Sequence, residues 1–241
     1  MVSDDDLAWL AGLSDAEACF STRMNRSREN TVVVLYEIGL VREDVMNEVR
    51  RLIGEIIGTE LPELLRDPPK KDRRAFFRCR VVRKNHVRTL LAALLPLLCG
   101  KHMEARIGLD ILERAAGHAK HRATQRDAAL CDVSSGLKRG DPKAASEANR
   151  LLGNGNHTCE PGAAWVAGMF DGDGSVSMGA TRRDGRTYYQ PFVNISSSDL
   201  IALSSTKTTV ERMGFGTTSV SVRVAPANPA RIFPAIQGTI H

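Results

Sequence analysis

Four carboxylates stand at matched places in two distant stretches of the chain: Asp15 and Glu17, then Asp171 and Asp173. The stretches read AWLAGLSDAEACFS over residues 8–21 and AWVAGMFDGDGSVS over 164–177, and they align without a gap at an offset of 156. Ala, Trp, Ala, Gly, Asp and the last Ser are identical, and both tryptophans of the chain lie inside the repeat. Paired carboxylates are hard oxygen ligands suited to Mg²⁺. The first question is therefore which elements would bring them together.

Each stretch reads as a helix. Ser3 with Asp4, Asp5 and Asp6 supplies a cap and first-turn acids, and Pro161 stands where the second helix would start. Ala8, Ala11, Gly12 and Asp15 share one helical face, and Ala164, Ala167, Gly168 and Asp171 repeat it. A glycine costs about 1 kcal/mol relative to alanine in a helix interior. Two such glycines at matching places are explained if the helices touch there, since small residues four apart let backbones approach. Ala8, Gly12, Asp15, Ala164, Gly168 and Asp171 are the expected helix–helix interface. The acids fall where the helices end, a position the dipole disfavours by roughly 0.3–1 kcal/mol. Helices packed side by side would bring Glu17 and Asp173 together, where a cation offsets that cost. Asp15 and Asp171 are read as caps of a neighbouring helix or turn. A calcium loop starting at DGDGS is rejected, because its sixth and twelfth places hold Val176 and Arg182 rather than Gly and Glu.

AGLSDAE after Leu10 and VAGMFDGDG from Val166 resemble the LAGLIDADG motif of homing endonucleases, and two copies look like the monomeric, pseudo-dimeric branch. The resemblance covers residues 5–120 and 160–215. It implies an α+β fold of two αββαββα units related by a pseudo-two-fold, with saddle-shaped antiparallel sheets and the motif helices packed at the centre. It also implies Glu17 and Asp173 as catalytic metal-binding acids, with the carbonyls of Ala16 and Gly172 completing the site. Lys101, after LLPLLCG, resembles the family's lysine near the metals that polarises the attacking water. Its alternative is a lysine that only caps or faces solvent. The implied cofactor is Mg²⁺ or Mn²⁺, and the implied product is a double-strand break with 3′ overhangs.

The rest of the chain is consistent with such units. Residues 18–26 and 31–41 alternate as two strands, with Ser21, Arg23 and Asn25 on one face and Phe20, Thr22 and Met24 on the other. Residues 43–57 carry a helical apolar stripe. A strand is expected over Arg74–Lys84, then a helix capped by Asn85, then a helix over 102–116. Between Arg66 and Arg88 lie ten basic residues against two acidic ones. The bland explanation is a protected edge strand. This concentration favours a nucleic-acid surface, with Arg74, Arg78, Arg80 and Lys84 on one strand face.

Residues 1–120 are the expected first unit, 121–160 a linker with a helix near 143–152, and 161–241 a short second unit. In that unit strands are expected at 175–182, 187–196 and 216–225 and a poorly packed helix at 199–213. The last stretch, PANPARIFPAIQGTIH, shows no clear strand, which predicts an incomplete or decayed half. The five cysteines are scattered and odd in number, without a CxxC, and read as free thiols of a reducing, intracellular compartment in an organelle, a prokaryote or a virus. His118, His121, His157 and Cys159 fit no standard zinc spacing. The longest apolar run, residues 90–99, is half of the roughly 20 that a spanning helix requires, so no membrane partner is expected. A net charge of +5 permits a polyanionic partner. The expected activity is a metal-dependent DNA endonuclease acting on double-stranded DNA. The alternatives are a maturase binding host intron RNA on the same scaffold and a catalytically degenerate DNA-binding relic.

Overall fold

The computed structural model describes residues 2–25, 31–69, 74–116, 123–153, 157, 159–197, 199–214, 219–224 and 234–240. The first motif forms helix α1, Asp4–Glu17, and the Ser3 hydroxyl accepts the Asp6 N–H at 3.1 Å. The periodicity then shifts to two, giving β1, Cys19–Asn25, and β2, Thr31–Leu40. Helix α2, Glu43–Ile57, buries Val45, Val49, Leu52 and Ile53 of its expected stripe together with Met46, leaves the stripe's Ile56 half-buried, and stops at Gly58 in the left-handed region (φ 67°). Two short strands follow, β3, Leu65–Asp67, and β4, Phe76–Val81, then α3, Lys84–Leu94, and α4, His102–Arg114.

The four strands form an antiparallel sheet in the order β1-β2-β4-β3. Phe20, Thr22, Val34, Tyr36, Ile38, Cys79 and Val81 are buried on its inner face. Tyr36 reaches α1 through its hydroxyl, 2.9 Å from the Ser14 hydroxyl, which also donates to the Leu10 carbonyl.

The second motif forms α7, Ala163–Asp173, after two helices, α5, Gln125–Lys138, and α6, Pro142–Leu152. Strands β5, Gly174–Arg183, and β6, Arg186–Ser197, then helix α8, Leu200–Arg212, and strands β7, Ser219–Val224, and β8, Pro234–Ile240, complete the chain. Their sheet has the order β5-β6-β8-β7, the same topology as the first. This is the α+β architecture of two matching units. Among the described residues, none of the helices is long and apolar enough to cross a membrane.

Several expectations are corrected. β4 is shorter than Arg74–Lys84, so Arg74 lies before it and Lys84 opens α3. Arg83, not Asn85, occupies the N-cap of α3, without a side-chain cap bond. Pro161 precedes the N-cap Gly162 rather than entering the helix. The strand missing from the C-terminal stretch is present as β8, which pairs with both β6 and β7. The linker holds α5 as well as α6. Both are packed: Leu130, Cys131, Val133, Ala144 and Ala148 are buried. Helix α8 buries Ala202, Leu203 and Val210 together with Thr206 and Thr209, whose hydroxyls donate to the Ala202 and Pro161 carbonyls. Bonded threonines thus fill inward places of a helix that was expected to be poorly packed.

The free-thiol expectation also fails for one pair. Cys99 and Cys159 are disulfide-bonded, with Cα atoms 5.4 Å apart, while Cys19, Cys79 and Cys131 are free. Local spacing hides this pair, because its members are 60 residues apart in sequence. His118 and His121 lie outside the described residues.

Candidate metal and nucleic-acid site

The centre of the molecule is the α1–α7 pair. A Cβ on Gly12 would collide with the Trp165 carbonyl, and a Cβ on Gly168 with the Trp9 carbonyl. The two glycines therefore let the helices meet backbone to backbone. The tryptophans close the contact reciprocally. Trp9 Nε1 donates to Asp171 Oδ2 at 3.0 Å, and Trp165 Nε1 donates to Asp15 Oδ2 at 3.1 Å. Residue i of one copy meets residue j of the other and the reverse, as a two-fold axis requires. Ala8 and Ala164 are half-buried on these helices, and Ala8 packs against the core.

Asp15 acts as the expected cap of a neighbouring turn, whereas Asp171 takes side-chain donors. Asp15 is buried and accepts the Cys99 N–H at 2.7 Å and the Lys101 N–H at 2.8 Å. It thereby grips the turn between α3 and α4. Burial pushes its carboxyl up, against the pull of those N–H groups and of Lys101. Asp171 is partly exposed and receives Arg42 Nη1 at 3.3 Å instead.

Glu17 and Asp173 are the last helical residues of α1 and α7. The helix pairing brings them within electrostatic reach. Glu17 is pushed up by burial first and by the charge of Asp173 second, with Lys101 opposing. Asp173 is pushed up to about 6 by burial, against Lys101 and a hydrogen bond from Ser197. Lys101 Nζ donates to the Ser14 carbonyl at 3.2 Å and the Ala16 carbonyl at 3.0 Å. Burial pushes its ammonium down, opposed by Asp15, Glu104, Asp173 and Glu17. Two half-buried carboxyls, uncomfortable as anions, thus share one buried cation. Lys101 caps the end of α1 through the Ser14 and Ala16 carbonyls and also lies within reach of both acids.

The donor set fits a hard divalent ion. Glu17 and Asp173 supply carboxylates, and Ala16 and Gly172 are the residues just before them. Among the described residues there is no cluster of three or more His, Cys, Asp or Glu side chains placed to hold a metal. An ion here would therefore take its remaining ligands from water or phosphate, as Mg²⁺ commonly does.

The outer face of the first sheet is the basic one. Register places Ser21 opposite Leu35, Arg23 opposite Val33, Asn25 opposite Thr31, Glu37 opposite Arg80 and Gly39 opposite Arg78, all on the face away from the core. Arg23 and Arg80 are exposed, and Ser21, Asn25 and Arg78 are half-buried. Arg74 and Lys84 are exposed but lie beyond the ends of β4. The two acids that organise this face were not anticipated. Arg78 bonds Asp67 at 2.7 Å and approaches Glu37 at 3.7 Å, and Arg80 also pairs with Glu37. Glu37 is the one charged residue in TVVVLYEIGL, a signal visible in the sequence. Ser197 and Arg42, the partners of Asp173 and Asp171, carried no such signal.

No protein-family model and no curated protein sequence matches the chain. Solved structures do. Meganuclease I-SmaMI bound to uncleaveable DNA is similar at TM-score 0.65 and 17% identity, over 99% of this chain and 79% of that one. LAGLIDADG homing endonuclease I-GzeII in complex with its DNA target is similar at TM-score 0.60 and 14% identity, over 97% and 77%. I-SmaMI bound to uncleaved DNA in the presence of calcium ions is similar at TM-score 0.57 and 16% identity, over 97% and 78%. The chain has the LAGLIDADG homing-endonuclease fold.

Proposed function

We propose that the protein is a site-specific, divalent-metal-dependent endonuclease that cuts both strands of duplex DNA as a monomer. The observation that carries the reading is the meeting of Glu17, Asp173 and Lys101 at the shared end of two reciprocally packed helices. In support, I-SmaMI and I-GzeII bind DNA on this fold.

Glu17, Asp173 and the carbonyls of Ala16 and Gly172 would hold Mg²⁺ or Mn²⁺. A bound ion of this kind lowers the pKa of a ligating water and stabilises the leaving oxygen of a phosphodiester. The chain's own contributions follow from its geometry. The α1–α7 contact fixes the spacing of the two carboxylates. Both carboxyls hold their protons more tightly than usual, Asp173 up to about 6, unless a cation draws the proton off sooner. Lys101 places a positive charge beside the Ala16 carbonyl, where it can orient a water or steady a developing negative charge. Ser21, Arg23, Asn25, Arg78 and Arg80 face outward on one sheet, with Arg74 and Lys84 beyond it. A basic strand face of this kind suits a DNA groove. Backbone phosphates are contacted by the arginines and lysines, and base edges by the half-buried polar residues.

The test is Asp173→Asn, which keeps shape and removes the ligand charge. Cleavage of a plasmid carrying the target should be abolished in Mg²⁺, while target binding in Ca²⁺ persists. Normal Mg²⁺-dependent cutting by this variant refutes the assignment.

A further inference from the structure

We propose that the Cys99–Cys159 bond is a redox-sensitive strap that sets how firmly the turn bearing Lys101 is held against the second unit. That turn, between α3 and α4, meets the second unit on two sides. On one side is the segment leading into α7. There Cys159 bonds Cys99, with Cα atoms 5.4 Å apart, and His157 Nε2 lies 2.6 Å from the Leu98 carbonyl. On the other side is the start of α8. A Cβ on Gly100 would collide with the Asp199 carboxylate and press on Ala202. Helix α8 also grips the α7 lead-in, because Thr209 and Arg212 both donate to the Pro161 carbonyl, at 3.0 and 2.9 Å. Cys99 stands two residues before Lys101, and Cys159 two residues before Pro161. The bond therefore lies in the middle of a seam between the units.

From the first unit, Asp15 holds the turn through the Cys99 and Lys101 N–H groups. From the second unit, the hold combines the disulfide with reversible contacts: the His157–Leu98 bond, the stack of His102 on His157 with centroids 3.6 Å apart, and the close approach of Asp199. The disulfide is the covalent member of this set. It closes a loop of 60 residues that contains α4, α5 and α6. A cross-link over so long a loop removes much of the unfolded chain's freedom. Opening it leaves the seam to the reversible contacts alone, so local opening of the lysine turn becomes easier.

The bond is placed to be reached and to be re-formed. Cys99 is buried and Cys159 half-buried, so an attacking thiolate meets the Cys159 sulfur first. A cavity of about 260 Å³ lies beside it, lined by Cys159, Pro161, Ser205, Thr208 and Arg212. One thiolate of a dithiol bonds the Cys159 sulfur, and the Cys99 sulfur leaves and takes up a proton. The dithiol's second thiolate then closes its own disulfide and releases the Cys159 sulfur, which takes up the other proton. Two electrons pass from the dithiol to the protein. The Leu97 carbonyl stands 4.0 Å from Cys99 Sγ and 3.7 Å from Cys159 Sγ, a shared acceptor for the new S–H groups. It keeps the two sulfurs together for re-oxidation. The strap concerns the seam itself and stands or falls separately from the endonuclease reading.

The experiment compares the full chain after air oxidation with the same chain treated with dithiothreitol while folded. Denatured and titrated, the oxidised chain should show three thiols and the reduced chain all five. The reduced chain should melt roughly 10 °C lower. Its Cys99 and Lys101 N–H groups should exchange with solvent about tenfold faster. Removing the dithiol in air should restore both properties. Cys159→Ser should behave as the reduced chain without any dithiol, and Cys131→Ser should respond to the dithiol as the native chain does. If Cys159→Ser fails to fold, the reversible changes of the native chain decide alone. Five thiols after air oxidation overturn the proposal. So does a bond that the dithiol cannot open in the folded chain. Unchanged exchange at Lys101 in the reduced chain also overturns it, whatever the melting temperature, because the bond would then be a staple without influence on the turn.

Discussion

The two units share a sheet topology, yet they treat the same aspartate differently. In the first, Asp15 is buried and gathers two backbone N–H groups and the partner tryptophan, so the turn bearing Lys101 is locked against α1. In the second, Asp171 is partly exposed and meets the corresponding tryptophan and the exposed Arg42, lent by the first unit. Among the described residues the second unit has no counterpart of α3, α4 or the lysine. The helix pair is therefore symmetric, and the shell around it is not. Symmetry sets where the two carboxylates stand. The asymmetric shell sets their electrostatics, because one ammonium serves both.

The largest effect expected from this asymmetry is kinetic. On the proposed function, if Lys101 supports one scissile site more than the other, the native chain should cut its two strands at unequal rates and accumulate nicked plasmid. Lys101→Met should slow the faster strand by roughly 10²–10³-fold, about 3–4 kcal/mol in barrier, and bring it near the slower one. Strand-resolved cleavage on end-labelled duplex reads this directly. Equal slowing of both strands would show that the lysine is shared evenly.

The helix contact should behave in the opposite way. Gly12→Ala and Gly168→Ala each drive a methyl into a backbone carbonyl of the other helix, and a carbonyl has no rotamer by which to escape. Each should cost about 3 kcal/mol, the upper range for overpacking, as read by denaturant unfolding. Similar losses at both positions confirm a symmetric core. A loss at only one would mean that the helices are offset.

What was legible in the sequence follows the same division. The repeat located both helices and both carboxylates, because close packing demands glycine and alanine at fixed spacing. β1, β2 and α2 were legible because their inward residues, Thr22 apart, are apolar at clean periods of two and 3.6. Features that depend on distant partners were not. Helix α5 buries Asp127, Ser134 and Gly136 beside Leu130 and Val133, so its inner face does not read as apolar. β8 follows a proline-rich stretch and is held as a strand by β6 and β7 on either side. The Cys99–Cys159 pair and the Arg42–Asp171 pair join segments that only the fold makes adjacent. At the basic face the period was right for Arg78 and Arg80. It failed at Arg74 and Lys84 because β4 ends sooner.

The carboxylates themselves offer a test with a definite sign. Asp173 binds its proton at about 6 in the fold, against 3.8 ordinarily. Between those values the folded chain holds a proton that the unfolded chain has released, so stability falls as pH rises from 4 to 6. In metal-free protein, Asp173→Asn should remove that slope. After discounting for partial exposure, it should be more stable than the native chain at pH 7 by about 1–2 kcal/mol. Glu17→Gln should act in the same direction, since burial and Asp173 push Glu17 upward too. Denaturant melts at pH 4.5 and 7 in chelator measure both. Opposite signs for the two acids would break the equivalence that the helix pairing imposes.

The smallest expected effect lies at the partner of Asp171. Arg42 is 54% exposed in its side chain, sits 3.3 Å from Asp171 and also pairs with Asp44, itself 70% exposed. Exposed pairs of this kind are worth about 0–1 kcal/mol. Arg42→Ala should therefore shift stability by about 0.5 kcal/mol or less, because Asp171 keeps the Trp9 N–H and regains water. The loss should shrink further at high salt, where exposed charges are screened. A loss several times larger, insensitive to salt, would mean that the second unit's aspartate is as tightly enclosed as the first's. The asymmetry of the shell would then have to be sought in Lys101 alone.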